Sequence, residues 1–181
     1  MQDELGRYLN SGMRLFQKTR SWGPIPLLVT YYLGVADPPL AFVSSVRAIV
    51  FRDTSVVVLN DPRGKPYVIP GGRVEQGETL LDTLRREILE EAGWTIIAPK
   101  PLGWVHLHHL GPKPENYKYP YPDFLWPVYI AEACESHPHA VIPDPNALDP
   151  RLVLIDEART LPMEEGERLL FEEALKRRAR T

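Results

Sequence analysis

The chain holds a single cysteine, Cys134, in 181 residues. No internal disulfide can form, and without a cysteine cluster there is no structural zinc site. Long apolar runs are missing too. Nothing approaches the roughly 20 residues of a membrane-spanning helix, and the N-terminal stretch lacks the uninterrupted apolar core of a signal peptide. A large excess of charge is also absent, the formal net charge being −3. That balance gives no electrostatic footprint for duplex nucleic acid or an anionic membrane, although a local basic pocket can still receive a nucleotide-sized anion. There is no internal repeat and no low-complexity tract. These absences lead to the expectation of a soluble, cytoplasmic protein with no duplex nucleic acid and no membrane as partner.

Proline is abundant, with 19 residues, about twice average usage. Most fall between the periodic segments and argue for stiff connections. With 44% hydrophobic residues, the chain is long enough for one well-packed domain with additions at its ends.

The most informative stretch is GRVEQGETLLDTLRREILEEAGW, Gly72 to Trp94. An amphipathic pattern from about Thr79 to Ala92 predicts a helix, with Thr79 as N-cap, Asp82 as its acidic partner at N3, and Gly93 ending it in a left-handed turn. Leu81, Leu84, Ile88 and Ala92 share the flank that would face a core. Glu87, Glu90 and Glu91 gather on a neighbouring flank, where they repel one another and oppose the helix dipole. Arg86 cannot neutralise all three. Hard oxygen ligands on one face suit Mg²⁺ or Mn²⁺, completed by water and phosphate oxygens. A solvated acidic face is the alternative.

The same stretch resembles the Nudix box. Gly72, Glu78, Arg86, Glu87, Glu90, Glu91 and Gly93 fill every fixed position of that pattern, and Ile88 and Trp94 fill its apolar slots. The resemblance implies an α/β fold of the Nudix α/β/α sandwich type with a mixed β-sheet. It also implies divalent-metal-dependent hydrolysis of a phosphoanhydride in a nucleoside diphosphate linked to another moiety. By the family's pattern Glu87, Glu90 and Glu91 hold Mg²⁺ (or Mn²⁺), with a backbone carbonyl at Gly71 or Gly72. Arg86 and Glu78 orient the carboxylates. The general base is left among the box glutamates or a later acid such as Asp144. A nucleotide sensor without turnover is a second reading, against which stands the full set of box glutamates. Isomerase chemistry on a prenyl diphosphate is a third, and Cys134 has no supporting motif for it.

Elsewhere, Leu5, Tyr8, Leu9, Leu15 and Phe16 predict a helix from Gln2 to about Thr19, outside the common core. Leu27 to Leu33 is expected as an edge strand. Residues 1–39 would thus form an extension, a possible homodimer contact, and 40–181 the main domain. Strands are expected at 40–52, 55–59, 67–69, 95–98, 102–110 and 124–133, a last extended segment at 151–155 and a C-terminal helix at 161–180. The proline-rich loop 111–122 carries Tyr117, Tyr119 and Tyr121 with Lys113 and Lys118. It can bind a base and phosphates, or the tyrosines can merely pin it to the domain. Arg47 is either a phosphate contact or part of a structural ion pair. His106 and His108 share a strand face with Trp104, where they can bind metal or phosphate or hold a structural hydrogen bond.

Overall fold

The structure is a computed structural model and describes residues 2–143 and 148–180. Its frame is one sheet of eight strands. In chain order these are β1 (Met13–Trp22), β2 (Ile25–Leu33), β3 (Arg47–Arg52), β4 (Ser55–Asn60), β5 (Pro66–Tyr67), β6 (Trp94–His109), β7 (Asp123–Ser136) and β8 (Leu148–Leu154). They lie side by side as β1-β2-β6-β7-β3-β4-β5, with β8 also on β4. Only β3 and β7 run parallel among the paired strands. The helices are α1 (Gln2–Asn10), α2 (Leu80–Ala92), α3 (Ile155–Ala158) and α4 (Glu165–Arg178).

The alternation of β3 sorts its side chains onto two cores. Ala48 and Val50 pack with Leu84, Ile88 and Ala92 of α2 on one face. Ile49 and Phe51 pack with Leu170, Phe171 and Ala174 of α4 on the other. A sheet buried by helices on both sides is the α/β/α sandwich expected from the sequence.

Two expectations for the N-terminal region are corrected. The helix stops at Asn10, where Ser11 Oγ bonds the Tyr8 carbonyl at 2.6 Å, and residues 13–22 form a strand instead of a second helical half. Gly23, at φ +56°, and Pro24 make a two-residue hairpin loop, a tight return that leads β1 directly back into β2. Hence β2 is interior, paired with β1 on one side and β6 on the other, and β1 takes the edge. The α1 helix packs Leu5 and Tyr8 on the buried Trp104, with the Tyr8 and Trp104 ring centroids 4.2 Å apart.

Candidate active site

The α2 helix carries the box, and its ends are fixed as the sequence implies. Thr79 and Asp82 form a reciprocal capping box, and Gly93 closes the helix at φ +70°. Leu84 and Ile88 are fully buried against the sheet, which fixes the rotation of the helix and turns Arg86, Glu87, Glu90 and Glu91 toward the 70–73 segment. That segment is in turn tied to the sheet by Val46 N–H donating to the Gly72 carbonyl at 2.9 Å and Ala48 N–H to the Pro70 carbonyl at 3.0 Å.

Arg86 is the hub. Its Nε and Nη2 donate to the two oxygens of Glu78 at 2.7 and 2.9 Å, and Nη2 also reaches the Arg73 carbonyl at 3.1 Å. Its Nη1 is shared by Glu87 Oε1 at 2.9 Å and Glu90 Oε2 at 3.2 Å. Glu78 receives a further bond from Thr83 Oγ1 at 2.7 Å. The Arg86 bonds, with those of Thr83, hold the Glu78 carboxyl down at about 2, so it stays ionised. Burial pushes the Glu87 carboxyl up, while Arg86 pulls it back. Glu91 lies apart from this hub, its Oε2 accepting the Gly71 N–H at 2.7 Å.

The two glycines explain how the carboxylates come so close to the backbone. Gly71 has φ +133°, and a Cβ there would sit 2.2 Å from the Val46 carbonyl oxygen. At Gly72 a Cβ would lie 2.3 Å from the Glu87 carboxylate. The missing Cβ is the space that Glu87 fills. Among the described residues no three acidic, histidine or cysteine side chains are drawn together as a ready metal cage. In this arrangement the guanidinium of Arg86 supplies the positive charge between Glu87 and Glu90. The donors are still of the kind that suits a hard divalent ion: Glu87 lies against Gly72 and Glu91 against the Gly71 N–H, two carboxylates at one glycine turn with Glu90 one helical turn from Arg86.

The substrate-side residues divide. Arg47, on β3, stands with its guanidinium 4.9 Å from the Trp126 ring centroid and makes no ion pair among the described residues. Tyr119 lies over Arg73, 4.7 Å from guanidinium carbon to ring centroid, and accepts a hydrogen bond from it. It also stacks toward Phe124, and Trp22 lies 6.2 Å from it. Tyr117 instead bonds His109 Nε2 at 2.7 Å, and Tyr121 donates to the Gly111 carbonyl at 2.9 Å, so these two hold the loop in place. Lys113 and Lys118 are exposed. His106 and His108 both bond Asp123 Oδ1, at 2.8 and 2.7 Å, a hydrogen-bonded arrangement on the sheet face. Asp144 lies outside the described residues.

Sequence reasoning missed Arg73, Trp22, Trp126 and Glu167. Trp126 was readable from the alternation of β7, which puts it on one face with Phe124. Trp22 lies just past the helix expected to about Thr19, where no strand was expected to place it.

A family model described as the NUDIX domain matches residues 41–179. The chain belongs to the Nudix family. The match leaves α1, β1 and β2 outside it. A curated relative, an uncharacterized Nudix hydrolase of Bacillus subtilis called YvcI, is 43% identical over 57 residues, which are 32% of this chain and 36% of that protein. Among solved structures, the Bacillus subtilis pyrophosphohydrolase BsRppH aligns with a TM-score of 0.60 at 16% identity, over 91% of this chain and 98% of that one. The NUDIX domain of Shewanella oneidensis NrtR, crystallised with ADP ribose, gives a TM-score of 0.56 at 19% identity, over 78% of this chain and 93% of that one. At these identities the two structures share the fold with this chain. None of the helices among the described residues is long and apolar enough to cross a membrane.

Proposed function

We propose that the protein hydrolyses a phosphoanhydride bond in a nucleoside diphosphate linked to another moiety, with Mg²⁺ or Mn²⁺ as cofactor. The observation that carries this reading is the complete acidic box gathered on one helix face against the Gly71–Gly72 backbone. Glu87, Glu90 and Glu91 would hold the ion, together with a backbone carbonyl. Gly72 O already accepts the Val46 N–H, which favours Gly71 O. When bound, the ion offsets charge on the phosphate oxygens and lowers the pKa of a water to be activated.

The chain's own groups do the rest. Glu78 clamps Arg86 through two parallel bonds, a fork geometry that fixes the guanidinium plane. Arg86 in turn aligns Glu87 and Glu90 from behind. On the substrate side, Arg73 and Arg47 offer positive charge for phosphate oxygens at the mouth of the site, and Tyr119 offers a ring beside them. Tyr117 and Tyr121 support the loop that presents Tyr119, and Lys118 adds charge at its rim. The homodimer expected through the N-terminal extension would use the free edge of β1, where Met13 and Trp22 are exposed.

The test is a panel of nucleoside triphosphates, nucleotide sugars including ADP-ribose, and dinucleoside polyphosphates, each with Mg²⁺ or Mn²⁺, with products identified by mass. Metal-dependent cleavage at a phosphoanhydride supports the reading. Tight nucleotide binding with no product from any of them would replace it with the sensor reading.

A further inference from the structure

A cavity of about 400 Å³ opens on the α4 side of the sheet, walled in part by Arg20, Arg47, Lys65, Tyr67, Trp126 and Glu167. It adjoins the box through Arg47, whose Cα would lie 3.0 Å from a Cβ placed at Gly71. Part of the charge around it is matched, while the guanidiniums of Arg20, Arg47 and Arg63 on its wall make no ion pair among the described residues. Glu164 bonds both Lys18 and Lys65, and Asp61 Oδ1 accepts the Arg63 and Lys65 backbone N–H groups at 2.8 and 2.9 Å.

Two polar atoms are not matched. Arg47 Nε and Glu167 Oε2 are buried without a hydrogen-bond partner. Glu167 sits in the first turn of α4 and is only 8% exposed. Burial raises its carboxyl to about 7, although the Val68 backbone N–H and the charges of Arg47, Arg20 and Lys65 all act to lower it. Buried groups left unpaired are costly and uncommon, so a donor and an acceptor orphaned on two residues that line one cavity ask what would satisfy both.

A phosphate has acceptors alone at these positions. It would suit Arg47, with Arg20, Arg63 and Lys65 also on the wall, but it would leave the acceptor Glu167 Oε2 unmet. An aliphatic group would satisfy neither atom. The pairing edge of a nucleobase presents a donor beside an acceptor on a flat ring, and Trp126, on the cavity wall with the Arg47 guanidinium 4.9 Å from its ring centroid, supplies an aromatic ring beside that donor.

We propose that this cavity takes the nucleobase of the substrate, with Trp126 as its stacking face and with Arg47 Nε and Glu167 Oε2 reading an adjacent acceptor and donor on the base edge. The assignment rests on the reading of the box as the diphosphate site. It makes Glu167 a specificity-determining residue contributed by the C-terminal helix.

The experiment is calorimetric binding, without metal and without turnover, of the guanosine, adenosine, uridine and cytidine monophosphates, with ribose 5-phosphate as the base-free probe. At least one nucleotide should bind about ten-fold or more tightly than ribose 5-phosphate, the worth of one well-made polar contact plus stacking. Glu167→Gln should narrow the spread between best and worst base by about five-fold, and Trp126→Leu should weaken all four nucleotides. Both variants should keep the wild-type affinity for ribose 5-phosphate, which also reports that they are folded. Should Glu167→Gln fail to fold, the wild type decides alone. For the better-bound of the two purine nucleotides, its N1-methylated form, whose edge is blocked while its ring can still stack, should bind about five-fold or more weakly than the unmethylated nucleotide. Equal binding of base-bearing and base-free probes, an unchanged spread between best and worst base in Glu167→Gln, or indifference to N1 methylation would overturn the proposal. Failure of every nucleotide to be hydrolysed with metal would strike the hydrolase reading instead and leave these binding results standing.

Discussion

Gly71 and Gly72 are neighbours, yet their substitution by alanine should damage different properties. At Gly72 the added Cβ would lie 2.3 Å from the Glu87 carboxylate, where ordinary contact begins at 3.4 Å. The carboxylate must therefore retreat by about 1 Å, and because it ends a flexible side chain, the retreat costs little stability. A displacement of about 1 Å in a positioned catalytic group typically costs about 10²-fold, or about 2.7 kcal/mol of transition-state stabilisation. At Gly71 the Cβ would lie 2.2 Å from the Val46 carbonyl, which is backbone, and the residue's φ of +133° is one that side-chain-bearing residues rarely adopt. Strain and overlap there should lower folding stability by about 3 kcal/mol. The assay measures thermal unfolding without metal and kcat/KM with Mg²⁺ for both variants. Gly72→Ala should melt near the wild type and lose activity, and Gly71→Ala should melt well below it. Full activity in a folded Gly72→Ala protein would show that the position of Glu87 does not matter to turnover, and the cradle argument would fail.

Glu91→Gln should lose about 10²-fold in kcat/KM and gain less melting temperature from added Mg²⁺ than the wild type, while its metal-free form melts no lower; identical Mg²⁺-induced shifts in both proteins would remove Glu91 from the ligand set. Tyr119→Ala should raise KM with little change in kcat, because its ring lies over Arg73 at the mouth of the site, whereas Tyr117→Phe should change neither. Tyr8→Ala should cost about 3 kcal/mol of stability by opening a hole against Trp104, and a melting curve like the wild type's would show that α1 is not part of the packed core. At Asp123 burial pushes the carboxyl up, but the hydrogen bonds from His106 and His108 prevail and hold it below the usual aspartate range. A depressed carboxyl stabilises the fold above its unfolded pKa and loses that effect as pH falls through the folded one. The gap between wild type and Asp123→Asn should therefore close in strong acid, and parallel melting profiles at every pH would contradict this.

Where local signals agreed, the fold was legible in the sequence. The caps of α2, its buried flank of Leu84, Ile88 and Ala92, and the apolar runs of β4 and β7 each follow from neighbours in sequence, and the box residues carry their spacing with them. Residues 13–22 broke this rule because β1 has a register shift between Arg14 and Phe16. That irregularity puts Leu15 and Phe16 out of strict alternation and in phase with the helical spacing of Leu5, Tyr8 and Leu9. The stop was nevertheless written in Asn10-Ser11-Gly12, and the hairpin in Gly23-Pro24. The segment Ala98-Pro99-Lys100-Pro101 reads as a break between two strands, yet β6 runs through it with Ala98 at φ +50° and the register shifting on either side.

Glu167 is a different case. In sequence it is one acid among Glu164, Glu165 and Glu167 at a helix start, where the dipole alone explains acidic residues. Its burial depends on Arg47 from β3, Lys65 from the β4–β5 turn and Trp126 from β7 converging on the same cavity as α4. No local pattern encodes that meeting. The box could be read from the sequence because one helix and the glycines before it hold its parts together. The cavity that adjoins it through Arg47 is assembled from five distant segments, β1, β3, the β4–β5 turn, β7 and the start of α4. On the proposed reading of the two sites, that division would put the chemistry in the legible part of the chain and substrate choice in the part that only the folded structure shows.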